Sequence, residues 1–111
     1  MIHILSKRAT SQQMQEMLEE LKTYVKVAVD VRRHVVAGGG ALHADCQAVL
    51  LDDGSEQADI WGADWIPASQ EVRFESLINI RPKQHNRTMT IHDSQLRAAV
   101  EAIVKQWVPS A

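Results

Sequence analysis

The chain has 111 residues, of which 45% are hydrophobic and 5% aromatic, and its net charge is −2. This length fits a single domain over residues 1–111 with a core of its own. The composition excludes global disorder, and the small negative charge argues against nucleic-acid binding. The single cysteine, Cys46, excludes an internal disulfide and a cysteine-rich zinc site.

No apolar run is long enough for a secretory signal or a membrane span. We therefore expect a cytoplasmic protein with no membrane partner. The sequence has no phosphate loop, dinucleotide fingerprint, nucleophile elbow or zinc pattern, so we expect no cofactor and no metal.

The first elements are a short strand over residues 1–5 and an amphipathic helix over about 11–22. Thr10 and Gln13 have the spacing of a capping box at the start of that helix. Its apolar residues recur at helical spacing, and they are Met14, Met17, Leu18 and Leu21.

Alternating apolar residues then predict a long strand from Val25 to Ala37. Gly38–Gly40 predicts a tight turn, because glycine readily adopts positive φ. Residues 41–52 predict the return strand, Asp53-Gly54 predicts a two-residue hairpin turn, and residues 55–62 predict a third strand.

The last third of the chain predicts a strand over 72–81 ended by Pro82, a short sixth strand over 87–91, and a helix over about 93–108 capped by Asp93. This order of elements predicts an α+β fold. We expect a mostly antiparallel sheet of five to six strands with both helices packed on it.

The two predicted turns set a register that gathers polar side chains on one face of the sheet. In this register Arg33 lies opposite Asp45, and His43 lies opposite Asp64. Gly62 leaves space above Asp45. The predicted cluster comprises Arg33, His43, Asp45, Gln47 and Asp64.

Two interpretations of this cluster remain open. One is a structural ion pair that pins the glycine turn, since a buried charge needs a partner. The other is a catalytic site in which His43 is the general base and Asp45 orients it, because histidine titrates near neutral pH.

A second polar group contains two arginines and two amides. Such a group suits a carboxylate or phosphate ligand, but it is more typical of a loop anchored through backbone carbonyls. The residues are Asn79, Arg81, Asn86 and Arg87.

Charge is segregated along the chain. Residues 34–72 contain seven acids and no Lys or Arg, whereas residues 73–92 contain four basic residues and one acid. Together with Trp65, which we expect in a loop at an interface, this segregation predicts a homo-oligomer.

Five segments taken together resemble a family of small prokaryotic proteins of unknown function, with members in cyanobacteria and other bacteria. The segments are GGALHAD (39–45), LLDDGS (50–55), QADIWG (57–62), SLINIRP (76–82) and NR (86–87). The family pattern has an acid where this chain has Gln47. The resemblance supports the fold and implies no activity.

We therefore predict a binding or self-associating module with a polar cluster beside Gly38–Gly40. The alternative is a small hydrolase or transferase that acts on an anionic substrate, with His43 and Asp45 as catalytic residues. The predicted ligand-binding residues for a small anion are Arg33, Gln47, Asn79, Arg81, Asn86 and Arg87.

Overall fold

The computed structural model describes residues 1–108 and has an α+β fold, as predicted. The strands are β1 (His3–Leu5), β2 (Val25–Asp30), β3 (Val35–Gly40), β4 (Ile60–Ile66) and β5 (Glu71–Arg73). The helices are α1 (Ser11–Met17), α2 (His43–Asp52) and α3 (Ser94–Trp107). Short 3₁₀ turns occupy Gln57–Asp59, Leu77–Asn79 and Pro82–Gln84.

The five strands form one antiparallel sheet in the order β1-β3-β2-β4-β5. Because side chains alternate along a strand, the two faces of the sheet bury different residues. Val27, Val29 and Val36 face α1 and α3, whereas Ala28 and Ala37 face α2. The sheet is therefore the middle of three layers, with α1 and α3 on one side and α2 on the other, where Ile78 also packs.

The predicted caps of the outer helices are confirmed. Thr10 and Gln13 form a capping box at the start of α1. The Asp93 carboxylate accepts hydrogen bonds from two backbone N–H groups at the start of α3. The α-helical part of α1 ends at Met17, earlier than the predicted residue 22, and the chain continues in turns.

The prediction of a turn at Gly38–Gly40 is wrong, because these glycines belong to β3. The register of β2 with β3 shifts between Lys26, which pairs with Gly40, and Val27, which pairs with Gly38. Gly39 is the extra residue of this β-bulge and has φ of +108°. The glycine run marks a bulge in a central strand.

The first hairpin turn begins seven residues earlier than predicted and covers residues 31–34. One carboxylate oxygen of Asp30 accepts hydrogen bonds from the N–H groups of Arg32 and Arg33, an Asx-type turn that replaces a glycine turn. His34 adopts φ of +58° to close it. The predicted single strand from Val25 to Ala37 is therefore two strands.

The return strand predicted over 41–52 is also wrong, since these residues form α2. His43, Cys46 and Leu50 repeat at helical spacing and are buried against the sheet. Gly54 does not form a hairpin turn: with φ of +103°, it ends the helix. The N–H groups of Gly54 and Ser55 donate to the carbonyls of Leu51 and Leu50, which is the Schellman pattern.

The strand predicted over 72–81 ends at Arg73, and the predicted sixth strand over 87–91 is reduced to an isolated bridge between Glu75 and Thr90. The connection from β5 to α3 is held by side chains instead. The amide of Asn79 bonds both the N–H and the carbonyl of Gly62, at 2.8 and 3.0 Å. The Asn79 side chain thereby pairs with backbone groups at the edge of β4 that a neighbouring strand would otherwise pair with.

Trp65 is 2% exposed and packs in the core between the sheet and α1 and α3. Its predicted position at an interface is wrong, because it lies in β4 rather than in a loop. Among residues 1–108, no helix is both long enough and apolar enough to cross a bilayer.

Candidate functional site

Because residues 43–52 form a helix and not the predicted strand, the structure does not bring the whole predicted polar cluster together. Asp45 lies on the exposed side of α2 and does not orient His43. Its position in the first turn suits an acid, which interacts favourably with the helix dipole. Gln47 is partly buried, and its Oε1 has no partner among the described residues.

Arg33 does not form the predicted pair with Asp45. Its guanidinium donates to Asp53 Oδ2 at 2.8 Å and to Ser55 Oγ at 2.7 Å. Since Asp53 and Ser55 follow the end of α2, Arg33 ties the β2–β3 turn to that helix terminus. The contact is structural, and its predicted role in ligand binding stays a prediction without support from these contacts.

His43 and Asp64 do come together, although the predicted register placed them there for the wrong reason. His43 is the first residue of α2, and Asp64 lies on β4 beneath it. His43 Nε2 lies 2.9 Å from Asp64 Oδ1 and 2.9 Å from the carbonyl oxygen of Ala63. A carbonyl can only accept, so we assign the ring hydrogen to Nε2.

This assignment leaves His43 Nδ1 free. Nδ1 has no hydrogen-bond partner within residues 1–108, and it is not one of the side-chain atoms buried without a partner. The side chain as a whole is only 10% exposed. His43 therefore has one ring nitrogen without a partner among residues 1–108, on a ring whose orientation is fixed by two acceptors.

The accessible side of His43 lines a groove of about 390 Å³ between the start of α2, the edge of β4 and the chain after β5. We call it the His43 groove. Its lining residues are Tyr24, Lys26, Leu42, His43, Ala44, Asp64, Glu75, Ser76, Leu77, Ile78 and Met89.

The rim of the groove is apolar and unusually exposed. Leu77 is 72% exposed, Leu42 57% and Met89 41%. Large apolar side chains grouped around a concavity are typical of binding sites. None of these three residues was singled out from the sequence, because an isolated Leu or Met carries no positional signal before the fold is known.

The floor of the groove is electrostatically mixed. In the sheet register Asp64 lies between Lys26 on β2 and Arg73 on β5, so two cations flank the carboxylate that binds His43. Lys26 and Glu75, which also line the groove, have no ion-pair partner among the described residues. Their opposite charges leave this part of the groove without a strong net charge.

The second predicted polar group anchors a loop. Asn79 is fully buried on Gly62, and Asn86 Nδ2 donates to three backbone carbonyls between residues 79 and 90. Arg81 donates to the carbonyls of Ile78, Gln57 and Ile60. These contacts match the loop-anchoring interpretation, whereas the ligand-binding role of these residues stays a prediction.

Arg87 is exposed and makes no hydrogen bond or ion pair with residues 1–108. Over the same range, no three His, Cys, Asp or Glu side chains are grouped as they would be around a metal ion. Cys46 is fully buried between α2 and the sheet, and burial raises the pKa of its thiol. A buried thiol with a raised pKa is a poor nucleophile.

The fold and the groove define a class: a small three-layer α+β protein with one oriented histidine in an apolar groove. Residues 3–107 match a family described as "Protein of unknown function (DUF5674)", and the chain belongs to that family. The comparisons with curated proteins and with solved structures gave no match. The family confirms the resemblance of the sequence segments to a family of unknown function.

Proposed function

We propose that this protein is a non-catalytic binding module whose ligand occupies the His43 groove. The observation that carries the proposal is that His43, with Nδ1 unpaired among residues 1–108, lines a groove with an apolar rim. A few fixed polar groups within apolar walls are what orient a small ligand in most binding sites.

The chemistry of the groove defines the ligand class. Since Nε2 carries the hydrogen, Nδ1 of the neutral ring accepts a hydrogen bond, so the ligand donates an N–H or O–H. Leu77 and Met89 offer apolar contact. The opposite charges of Lys26 and Glu75 favour an uncharged molecule over a strongly charged one.

Indole is a suitable probe, because it is a flat apolar molecule with one N–H donor. Titration into ¹⁵N-labelled protein should shift the backbone amide signals of groove residues such as Leu42, Ala44 and Leu77, and the shifts should saturate. 1-Methylindole lacks the donor and should bind about three- to tenfold more weakly, which is the contribution of one neutral hydrogen bond.

Two variants test whether this difference in affinity between indole and 1-methylindole comes from His43. His43→Phe keeps a flat ring but removes Nδ1, so indole and 1-methylindole should bind it with equal affinity. His92→Phe is the matched control: His92 is exposed and bonds Thr88 Oγ1 outside the groove. The proposal fails if the wild type does not distinguish the two probes, or if no groove signal saturates.

A second candidate function rests on the same nitrogen. His43 Nδ1, with the ring fixed by Asp64, is positioned as a general base that removes a proton from water or from a substrate hydroxyl. In this hydrolase or transferase the orienting acid is Asp64 in place of the predicted Asp45.

The catalytic candidate is tested with p-nitrophenyl acetate and p-nitrophenyl phosphate. If His43 is a general base, His43→Gln should reduce kcat by on the order of 10²-fold or more, and Asp64→Asn should reduce it by less. A hydrolysis rate that is the same in wild type and His43→Gln contradicts this candidate.

Self-association stays a proposal, supported by the charge segregation along the chain and by the exposed apolar rim of the groove. Sedimentation velocity over a hundredfold range of protein concentration tests it. A sedimentation coefficient that rises with concentration supports a homo-oligomer, and a strict monomer over the whole range contradicts one.

A further inference from the structure

Arg81 is a buried cation that no carboxylate among the described residues balances. The residue is 8% exposed, and its guanidinium carbon lies 4.5 Å from the centre of the Trp61 ring. Nε donates to Ile78 O at 2.9 Å, and Nη1 donates to Gln57 O at 2.7 Å. The carbonyl dipoles and the quadrupole of the Trp61 ring stabilise the cation but carry no net charge.

No carboxylate within residues 1–108 forms an ion pair with Arg81. Burial lowers the pKa of its guanidinium, and no neighbouring acid raises it again. Buried charges in proteins are normally paired, because desolvation of a single ion is costly. The environment of Arg81 therefore lacks the negative charge that such a site usually contains.

Arg81 also lines an open cavity of about 420 Å³. Of its five N–H donors, four are used by Ile78, Gln57, Ile60 and Gln84, which leaves one. Lys83 lines the same cavity, is exposed, and has no ion-pair partner among the described residues. The cavity thus brings together two cations, one buried and one exposed, with neutral residues around them.

We propose that this cavity binds a small oxyanion, a phosphate or carboxylate group, between Arg81 and Lys83. The remaining guanidinium N–H and the ammonium group of Lys83 supply charge-assisted hydrogen bonds. The side-chain amides of Gln57 and Gln84 border the same space. Arg81 therefore has two roles, since it anchors the loop through carbonyls and offers its charge to a ligand.

This site is distinct from the His43 groove. The two cavities share no lining residue, and the groove contains two carboxylates, whereas the Arg81 cavity contains none. The oxyanion site therefore stands or fails independently of the proposed function, because a probe for one cavity shifts different backbone amides from a probe for the other.

The test is a titration of ¹⁵N-labelled protein with inorganic phosphate, and separately with sodium acetate, at ionic strength held constant with sodium chloride. Backbone amides of Gln57, Ala58, Lys83 and Gln84 should shift and saturate. Phosphate binding stronger than acetate binding identifies a phosphate site, and the reverse order identifies a carboxylate site. The same anion should raise the unfolding temperature.

Lys83→Met decides whether the shifts come from this cavity. Because Lys83 is exposed, the variant keeps the fold, and its affinity for the anion should fall about fivefold, the upper range for a solvated ion pair. Lys105→Met is the matched control, since it removes a positive charge from α3. Shifts that chloride reproduces, or that Lys83→Met leaves unchanged, overturn the proposal.

Discussion

At the scale of single residues, Gly39 shows why this chain needs glycine in the middle of its sheet. Its φ of +108° is a conformation that side chains with a Cβ rarely adopt. A Cβ added there would also collide with the carbonyl oxygen of Met1 and would lie 2.9 Å from the Cα of Met17. The bulge lets α1 and the N-terminus approach the backbone of β3 directly.

Gly39→Ala should therefore be strongly destabilising. Positive φ and the steric clash both oppose the side chain, and together they should lower the free energy of unfolding by on the order of 3 kcal/mol. Urea denaturation followed by circular dichroism measures this change. The loss should appear as a lower midpoint with an unchanged slope.

Gly54→Ala is the matched control, because Gly54 also has a positive φ but is not crowded. Gly54 has φ of +103°, and a Cβ built there meets nothing within 4 Å. Its loss should be about 1 kcal/mol, the cost of positive φ alone. Equal losses at the two glycines would contradict the close approach of Met1 and Met17 as the reason for Gly39.

At the scale of elements, α2 shows which part of the fold and site could be predicted and which could not. The helix caps at Thr10 and Asp93 follow from local chemistry and were predicted correctly. The preceding strand and the glycines favour a hairpin, and this pattern predicts a strand over residues 41–52. The helical spacing of His43, Cys46 and Leu50, followed by a glycine after the last turn, was the available signal.

The error at α2 also explains the outcome for the site. A strand would have placed His43 and Asp45 on one face, whereas in the helix they point in different directions. Only His43 and Asp64 were brought together as predicted. The groove itself could not be predicted, because its apolar rim comes from distant segments around Leu42, Leu77 and Met89, which no local pattern connects.

The irregular segment between β5 and α3 depends on Asn79, and this dependence is testable. Asn79→Ala leaves the N–H and carbonyl of Gly62 without their partners in a buried position. The free energy of unfolding should fall by on the order of 3 kcal/mol. Hydrogen exchange at the Gly62 amide should accelerate sharply, while β4 amides that pair with β2 remain protected.

Gln70→Ala is the control for this prediction, because its amide also donates to a backbone carbonyl, that of Pro67, but at the surface. Its effect on unfolding should stay within about 0.5 kcal/mol. A comparable loss in both variants, or unchanged exchange at Gly62 in Asn79→Ala, would show that the edge of β4 does not depend on the Asn79 side chain.

At the scale of the whole molecule, Cys46 reports on the contact between α2 and the sheet. Its thiol is fully buried where α2 packs on β2 and β3, and its Sγ lies 3.5 Å from the carbonyl oxygen of Lys26. It is the only cysteine in the chain, so a thiol reagent such as DTNB reads one position. Labelling of Cys46 requires α2 to move away from the sheet.

Native protein at pH 8 should react with DTNB on the order of 10³-fold more slowly than urea-unfolded protein, since the opened state is rare in a stable domain. Cys46→Ala combined with Ala48→Cys provides the control, because Ala48 is exposed on the same helix. That variant should react at once. If Cys46 reacts as fast as the control, α2 is not held on the sheet as a third layer.

The same thiol gives the expected dependence on pH. Burial raises the pKa of folded Cys46 above its ordinary value of 9.0, so the folded state holds the proton more tightly than the unfolded state. This contribution to stability is complete below pH 9.0 and decreases as the pH rises towards the folded pKa. Between pH 9 and 10.5, urea midpoints should fall more steeply for wild type than for Cys46→Ala. Parallel curves would mean that folding does not raise the pKa of this thiol.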